Sequence, residues 1–572
     1  MKNNRLSLYA ALLAAVVMSS CGGLNKMKDT AKTVSYTVTP NPLEVKAGQV
    51  SVSVEGKYPA KFFNKKAVLV ITPVLKYNGG EVALKPTTIQ GESVQANDKV
   101  IKYAEGGSFS YTDVIPYKPE IESSELEVRV KASIGKKTAI DFPSAKIADG
   151  VIATELLVVK DARPIMVGDK FQHSSAEKIE TDIKYAINQA DIRPAELKKE
   201  DAKKFQQTLA AIEADPKKEI KNIELASAAS PDGPLAENSK LAEKRKTSAS
   251  SYFTKTFKKE KLTKPKDELF TYLVTAEDWD GFKKALEASD VKDKELILRV
   301  LTMYSDPEVR EKEIKNISAA YDDLKVKILP QLRRSKLAIN VTVNGKTDQE
   351  LTALAQSKPD SLKLEELLYA ANLSTDLNAK LTIYQAAANK YPSDFRAKNN
   401  CGYIYIKLNK MAEAKASFEA AKAVEDNNVV KNNLGVIALS EGDVTKAEEL
   451  FTAAMGAGDE VNYNLGIINI IKGKYPEAIN YFGNANEANA ALAKLLNKSN
   501  DQALSTLNGV KSEDAIVYYL RAIVGARTQN TDLLFTNLRI AVGKSAELKA
   551  NAAKDLEFAK YFQDATFKST IQ

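Results

Sequence analysis

The sequence predicts a multidomain chain of three modules in series: an N-terminal β-sandwich region, a central α+β module, and a C-terminal solenoid of stacked helical pairs. Three observations predict it. Apolar and polar residues alternate along the N-terminal quarter, as in Val50-Ser51-Val52-Ser53-Val54, the two-residue period of strands. In the middle, Ile220 to Ala229 reads as a strand leading through Ser230-Pro231-Asp232-Gly233 into a long helical pattern. In the C-terminal third Gly402, Gly435 and Gly466, spaced 33 and 31 residues apart, each begin the same arrangement of small and aromatic residues. A chain of 572 residues is also too long for one core.

Composition narrows the function classes. Lys+Arg 82 against Asp+Glu 74 gives a formal +8, spread along the chain rather than gathered, so the surface is mildly basic and no nucleic-acid partner is expected. One histidine (His173) and two cysteines (Cys21, Cys401) exclude most zinc and iron-sulfur centres and any disulfide framework, so neither metal nor cofactor is expected. Acid-base catalysis is left with common Asp and Glu residues that no spacing singles out. His173, in the polar stretch Lys170 to Ser175, reads as an exposed bystander, and Cys401, at an apolar repeat position, as a buried inert thiol.

Residues 1–20 carry a destination. Lys2 and Arg5 precede the uncharged run Leu6 to Met18, too short to span a bilayer but the length of a signal-peptide core. Met18-Ser19-Ser20-Cys21 then resembles the lipobox of bacterial lipoproteins, with Met where Leu is commoner. The resemblance implies cleavage before Cys21 and its acylation with palmitate-type chains. Each buried methylene contributes ~0.8 kcal/mol, so a multi-chain anchor holds essentially permanently. Gly22 follows Cys21, without an inner-membrane-retaining Asp or an acidic export run, so the expected location is the outer membrane, periplasmic side. Residues 21–33 are polar and read as a tether from the lipid.

Residues 34–160 form the β region, one or two sandwich units. Asn78-Gly79-Gly80 marks a turn, and the apolar run Ala67 to Leu75 suits a strand buried on both faces, with Pro73 suggesting a bulge or strand end.

In the central module, offsets of three, four and seven place Asn238, Leu241 and Arg245 on one helical stripe. Strand, Pro-Asp-Gly turn and N-x-x-L-x-E-x-R helix resemble the OmpA-like domain, with Ile183 to Pro194 as its opening strand and loop. Ile328 to Ser335 and Leu337 to Val343 resemble its final helix end and closing strand. The resemblance covers 168–345, with a helical insertion around Trp279. It implies a peptidoglycan contact in which an Asp and an Arg grip the diaminopimelate side chain. The Arg position falls on Arg245, the Asp position on Ser230, so half of the clamp is missing; Asp232 and Asn238 are the other candidate contacts.

In each repeat the glycine is followed by Ala at twelve, Phe at sixteen and Ala at nineteen: Ala414, Phe418 and Ala421; Ala447, Phe451 and Ala454; Ala478, Phe482 and Ala485. This is similar to the tetratricopeptide repeat (TPR), a helix-turn-helix unit that stacks because one unit cannot bury its own apolar face. The array extends over 361–572, closing in a helix Leu548 to Phe562. The resemblance implies a concave groove for other envelope proteins, lined by Asn399, Tyr403, Lys431, Asn432, Asn462 and Tyr463. These positions lie outside the Gly, Ala and Phe contacts and are expected to matter little for stability. The whole reads as a non-enzymatic outer-membrane lipoprotein that scaffolds an envelope assembly, such as machinery for biogenesis or secretion of outer-membrane proteins. The alternatives are a peptidoglycan anchor through the central module and, less favoured, an envelope enzyme such as a peptidoglycan hydrolase.

Overall fold

The computed structural model describes residues 23–572, the side chains of 318–320 excepted, in two compact units: residues up to Val167 together with Ala388–Gln572, and Gly168–Ala387. The signal-peptide reading of 1–20 and Cys21 lie outside the described residues.

The first unit begins with 23–29, which are helical and bury Leu24 and Met27 in the sandwich core. This corrects the tether expected over 21–33: two apolar side chains at i and i+3 give the segment a face to bury. The sandwich has two sheets around one core. The five-stranded sheet centres on Gln49–Tyr58, whose residues alternate exposed and buried and which pairs antiparallel with Gly107–Pro116 along its length. The seven-stranded sheet centres on Ala67–Tyr77, paired antiparallel with Glu125–Ile134. Pro73 does not end that strand. Ala67–Tyr77 pairs with Thr87–Gly91 up to Ile71 and with Gly80–Ala83 from Val74, so the residue without an N–H falls where one partner gives way to the next.

The unit continues in the helical pairs α1 (Phe395–Lys407) and α2 (Met411–Val424), α3 (Asn428–Ser440) and α4 (Val444–Ala453), α5 (Asp459–Ile471) and α6 (Tyr475–Phe482), α7 (Ala488–Leu496) and α8 (Asn500–Gly509), and α9 (Ala515–Thr528) and α10 (Thr531–Lys544). The repeated glycines are explained by contact. A Cβ at Gly402, Gly435 or Gly466 would meet the ring of Phe418, Phe451 or Phe482 at 2.5 to 2.6 Å. The closing helix expected over Leu548–Phe562 is two short helices, Ala546–Ala552 and Ala565–Ile571, with a 3-10 turn, Leu556–Tyr561, between them. Sandwich and repeats are fastened together: Glu155 accepts from the Ala47 and Gly48 amides and from the Tyr475 hydroxyl, Lys498 pairs with Glu44, and Lys554 pairs with Glu122.

The second unit is built on a four-stranded sheet of β1 (Ser174–Lys184), β2 (Lys218–Ala228), β3 (Phe270–Thr275) and β4 (Arg334–Asn344), in the order β1-β4-β2-β3. β4 is antiparallel to both neighbours, and β2 and β3 are parallel. Helices Glu200–Ala214 and Leu235–Lys259 cover one face through Phe205, Leu209, Ile212, Ala249, Phe253 and Phe257. The insertion is four helices between Trp279 and Lys327, with a core of its own around Phe282, Leu286 and Ile297. Two further helical segments, Asp348–Ser357 and Leu364–Leu373, precede the helix Leu377–Lys390, within which the unit ends at Ala387; the Tyr384 hydroxyl there donates to Asn372 at 2.9 Å.

Candidate functional site

One face of the repeats carries a row of asparagines on the first helix of the first four pairs: Asn399 and Asn400 on α1, Asn432 and Asn433 on α3, Asn464 on α5 and Asn489 on α7. All are buried. They are covered by the chain itself, because residues 158–167 leave the sandwich in extended form and run through the groove. Four of the asparagines each hold one residue of this strap by both of its backbone groups, Oδ1 accepting the N–H and Nδ2 donating to the C=O. Asn400 holds Val167 (2.9 and 2.8 Å), Asn433 holds Ile165 (2.7 and 2.8 Å), Asn464 holds Arg163 (2.7 and 3.0 Å) and Asn489 holds Val159 (2.9 and 2.8 Å). The strap runs against the order of the repeats. Its grip falls on odd-numbered residues because N–H and C=O in extended chain turn to the same side every second residue. Pro164, which has no N–H, falls between two gripped positions and also biases Arg163 toward extended backbone.

The remaining asparagines link the clamps. Asn399 donates to the Ile165 carbonyl (3.1 Å) and Asn432 to that of Arg163 (3.0 Å), while Asn433 donates to Asn399 and Asn464 to Asn432. Side chains add further contacts. The Arg163 guanidinium stacks 3.6 Å from the centroid of the Tyr463 ring and pairs with Glu487 at 2.9 Å. Burial opposes its charge, but Glu487, Tyr463 and Asp161 hold its pKa above the ordinary value. Asp161 accepts from the Tyr463 hydroxyl at 2.8 Å and from Asn489 at 3.1 Å; burial, then that carboxylate, raises the Tyr463 phenol. Leu157, Val158, Ala162 and Ile165 pack against the repeat core.

The six residues expected to line an open groove divide accordingly. Asn399, Asn432 and Tyr463 are buried strap contacts, which corrects the expectation that they sit outside the packing: a groove filled by the chain's own backbone makes its lining part of the interior. Tyr403 lines a cleft of ≈ 510 Å³ beside the strap, with Ile406, Met411 and Arg163. Lys431 is half-buried and Asn462 exposed. The gripping residues Asn400, Asn433 and Asn464 were missed although each stands two places before a repeat glycine, and Asn489 stands two before Ala491, the fourth unit's residue at that point.

The second candidate site lies in the other unit. Arg245 is fully buried, its guanidinium donating to the carbonyls of Gln189 (3.0 Å), Ala228 (2.9 Å) and Ala186 (3.3 Å) and lying 5.0 Å from the centroid of the Tyr185 ring. Burial pulls its pKa down to about 10. Reading it as a contact for an external carboxylate is corrected: the groups of the turn and strand ends surround it. Asp232 is tied to Arg333 at 2.8 Å, Arg333 also donates to Ser230 at 3.1 Å, and the Ser230 hydroxyl donates to Asp232. Asn238 donates to the Gly233 carbonyl (2.9 Å) and to Glu277 (3.2 Å). Arg333 and Glu277 are the residues that sequence reasoning left without a role here.

His173 is half-exposed, its Nε2 3.0 Å from the Tyr369 hydroxyl. Cys401 is buried, which pushes its thiol up to about 12, so it is no thiolate nucleophile at neutral pH. Among the described residues no group of three His, Cys, Asp or Glu side chains is placed to hold a metal ion, and no helix is long and apolar enough to cross a membrane.

Comparison with known proteins places a tetratricopeptide repeat in the C-terminal region: the family model matches residues 395–428, the α1-α2 pair with the start of α3. No curated protein matches the chain. Among solved structures, a tetratricopeptide repeat protein from Parabacteroides merdae is 13% identical, covering 37% of this chain and 91% of its own, with a TM-score of 0.28. PilF of Pseudomonas aeruginosa is 16% identical, covering 38% and 100%, with a TM-score of 0.28. YrrB, described as a TPR protein with an unusual peptide-binding site, is 18% identical, covering 37% and 100%, with a TM-score of 0.22.

Proposed function

We propose that this protein is a non-enzymatic interaction scaffold of the bacterial outer membrane, held there by lipid on Cys21 and serving an envelope assembly, such as one for biogenesis or secretion of outer-membrane proteins. The observation that carries the reading is the strap: the repeat array is seen holding an extended peptide by its backbone, the act a protein-binding groove performs on a partner. The central module is read as an OmpA-like fold kept as a platform. Its strand order supports the fold. The commitment of Arg245 to three carbonyls and of Asp232 to Arg333 leaves no free acid-and-arginine pair to grip diaminopimelate, which supports the platform over the anchor.

The test is affinity purification of the tagged chain from detergent-solubilised envelopes, beside Cys21→Ser and a fatty-acid label. A specific set of envelope proteins and a label lost in the variant are the expected results. Purification of the chain alone overturns the scaffold, and undiminished labelling of the variant overturns the anchor. The parent chain is also expected to sediment poorly with isolated peptidoglycan; strong sedimentation overturns the platform.

A further inference from the structure

The strap shows what the groove selects as well as that it binds. The four clamps read only N–H and C=O, so they demand extended backbone and forbid proline at gripped positions while ignoring side-chain identity. Identity is read at three alternate positions. Asp161 meets the Tyr463 hydroxyl and the Asn489 amide, Arg163 meets the Tyr463 ring and Glu487, and Ile165 meets apolar repeat side chains. The arginine is chosen for shape as well as charge, since a planar guanidinium both stacks on an aromatic face and forks onto a carboxylate.

We propose that the asparagine-lined face of the repeats is a receptor for extended peptides of the pattern acid-x-Arg-x-aliphatic, closed in cis by residues 158–167, and that a partner bearing this pattern enters only by displacing the strap. The proposal deepens the scaffold reading and rests on it, naming the chemistry of the partner. Closure follows from the tether: a segment joined to its site competes at an effective concentration on the order of millimolar. A free peptide of equal intrinsic affinity at about 10 μM then meets a competitor roughly a hundredfold more concentrated.

The test uses the full chain as Cys21→Ser and a fluorescent peptide copying residues 157–168. The parent is expected to capture no peptide at about 10 μM. Arg163→Pro with Ile165→Pro removes two gripped N–H groups and frees the groove, so this variant is expected to bind. Adding Asn433→Ala and Asn464→Ala to it abolishes capture, and a peptide carrying Glu in place of the arginine binds at least about tenfold more weakly. A variant that melts cooperatively yet binds nothing, or binds both peptides alike, overturns the proposal, as does ready capture by the parent.

A second measurement on the parent needs no altered chain. By hydrogen exchange, the amides of Val159, Arg163, Ile165 and Val167 are expected to be slower than those of Lys160 and Ala162. Peptide at about 5 mM is expected to speed the four severalfold, and the Glu-bearing peptide to leave them unchanged. Equal rates at gripped and ungripped positions, or no response to the peptide, overturns it. No envelope partner enters either measurement, so co-purification can fail while peptide capture succeeds, and the reverse.

Discussion

Asn433 accepts from the Ile165 N–H and donates to its C=O, which Asn399 also reaches, and it donates to the Asn399 Oδ1 as well, so that N–H and that Oδ1 lose a partner if the amide goes. Removing one partner of a buried hydrogen bond costs about 1–3 kcal/mol for each group left unpaired. Asn433→Ala is therefore expected to destabilise the repeat unit by about 2–4 kcal/mol, while Asn462→Ala, an exposed change on the first helix of the next pair, stays within about 0.5 kcal/mol. Urea unfolding of the two variants checks the contrast. Asp555 offers a pH test. Buried at the start of the last 3-10 turn and accepting from Tyr519 at 2.8 Å, it has its pKa raised by burial, then by Glu557, from 3.8 to about 7. The native state thus holds its proton through a window in which the unfolded chain releases it. Its stabilisation is present below pH 4 and is lost as pH rises through 7. Asp555→Asn is expected to flatten the fall in melting temperature between pH 5 and 8; identical slopes for parent and variant would sink the assignment.

The helix Leu235–Lys259 and the strand β2 before it were legible because local pattern determined them, a turn signal followed by a stripe of Asn238, Leu241 and Arg245. What Arg245 does was not legible, since a stripe gives the direction of a side chain but not its acceptors. These are carbonyls of the loop after β1 and of the end of β2, brought near only by the sheet. Arg245→Met is expected to cost about 3–5 kcal/mol through three lost hydrogen bonds to a charged donor, read as a lower unfolding midpoint of the central unit. Arg245→Ala is for the same reason a test of folding and not of ligand binding. The strap escaped the sequence for a related reason. Residues 161–167 were assigned to no module, because a strand paired with side chains instead of a neighbouring strand has no second half to find. The recurring Asn two places before each repeat glycine was the available signal.

Across the molecule, the period-two and 31-to-33-residue patterns sufficed to separate the β region from the repeats, but not to show that they form one unit. That union rests on pairs hundreds of residues apart. Glu557 takes part in one of them: its carboxylate, largely enclosed, pairs with the mostly enclosed Arg527 side chain at 2.8 Å and accepts from Thr154, at the end of the sandwich. Neutralising it leaves the Arg527 charge buried without its partner, a loss of about 3–5 kcal/mol when one side of an enclosed pair is removed. Glu557→Gln is expected to lower the unfolding midpoints of sandwich and repeats together, followed by a tyrosine signal and by amide exchange in Gln49–Tyr58. A drop confined to the repeats would show that Thr154 carries no coupling.

The strap also sets an order of events as the chain is made. Val167 waits 233 residues for Asn400, and Val159 waits 330 for Asn489. At roughly 5–20 residues per second, Asn489 is synthesised about a quarter of a minute to a minute after Val159. Wherever the chain emerges N-terminus first, the sandwich sequence precedes the repeats, and residues 158–167 come before anything that can hold them. The asparagines arrive one repeat at a time and meet the strap from its C-terminal end backward, Val167, then Ile165, then Arg163, then Val159, so the groove closes like a zip behind the growing array. A chain shortened from its C-terminus undoes the same sequence in reverse, and the number of strap residues held becomes a count of how many repeats have been finished.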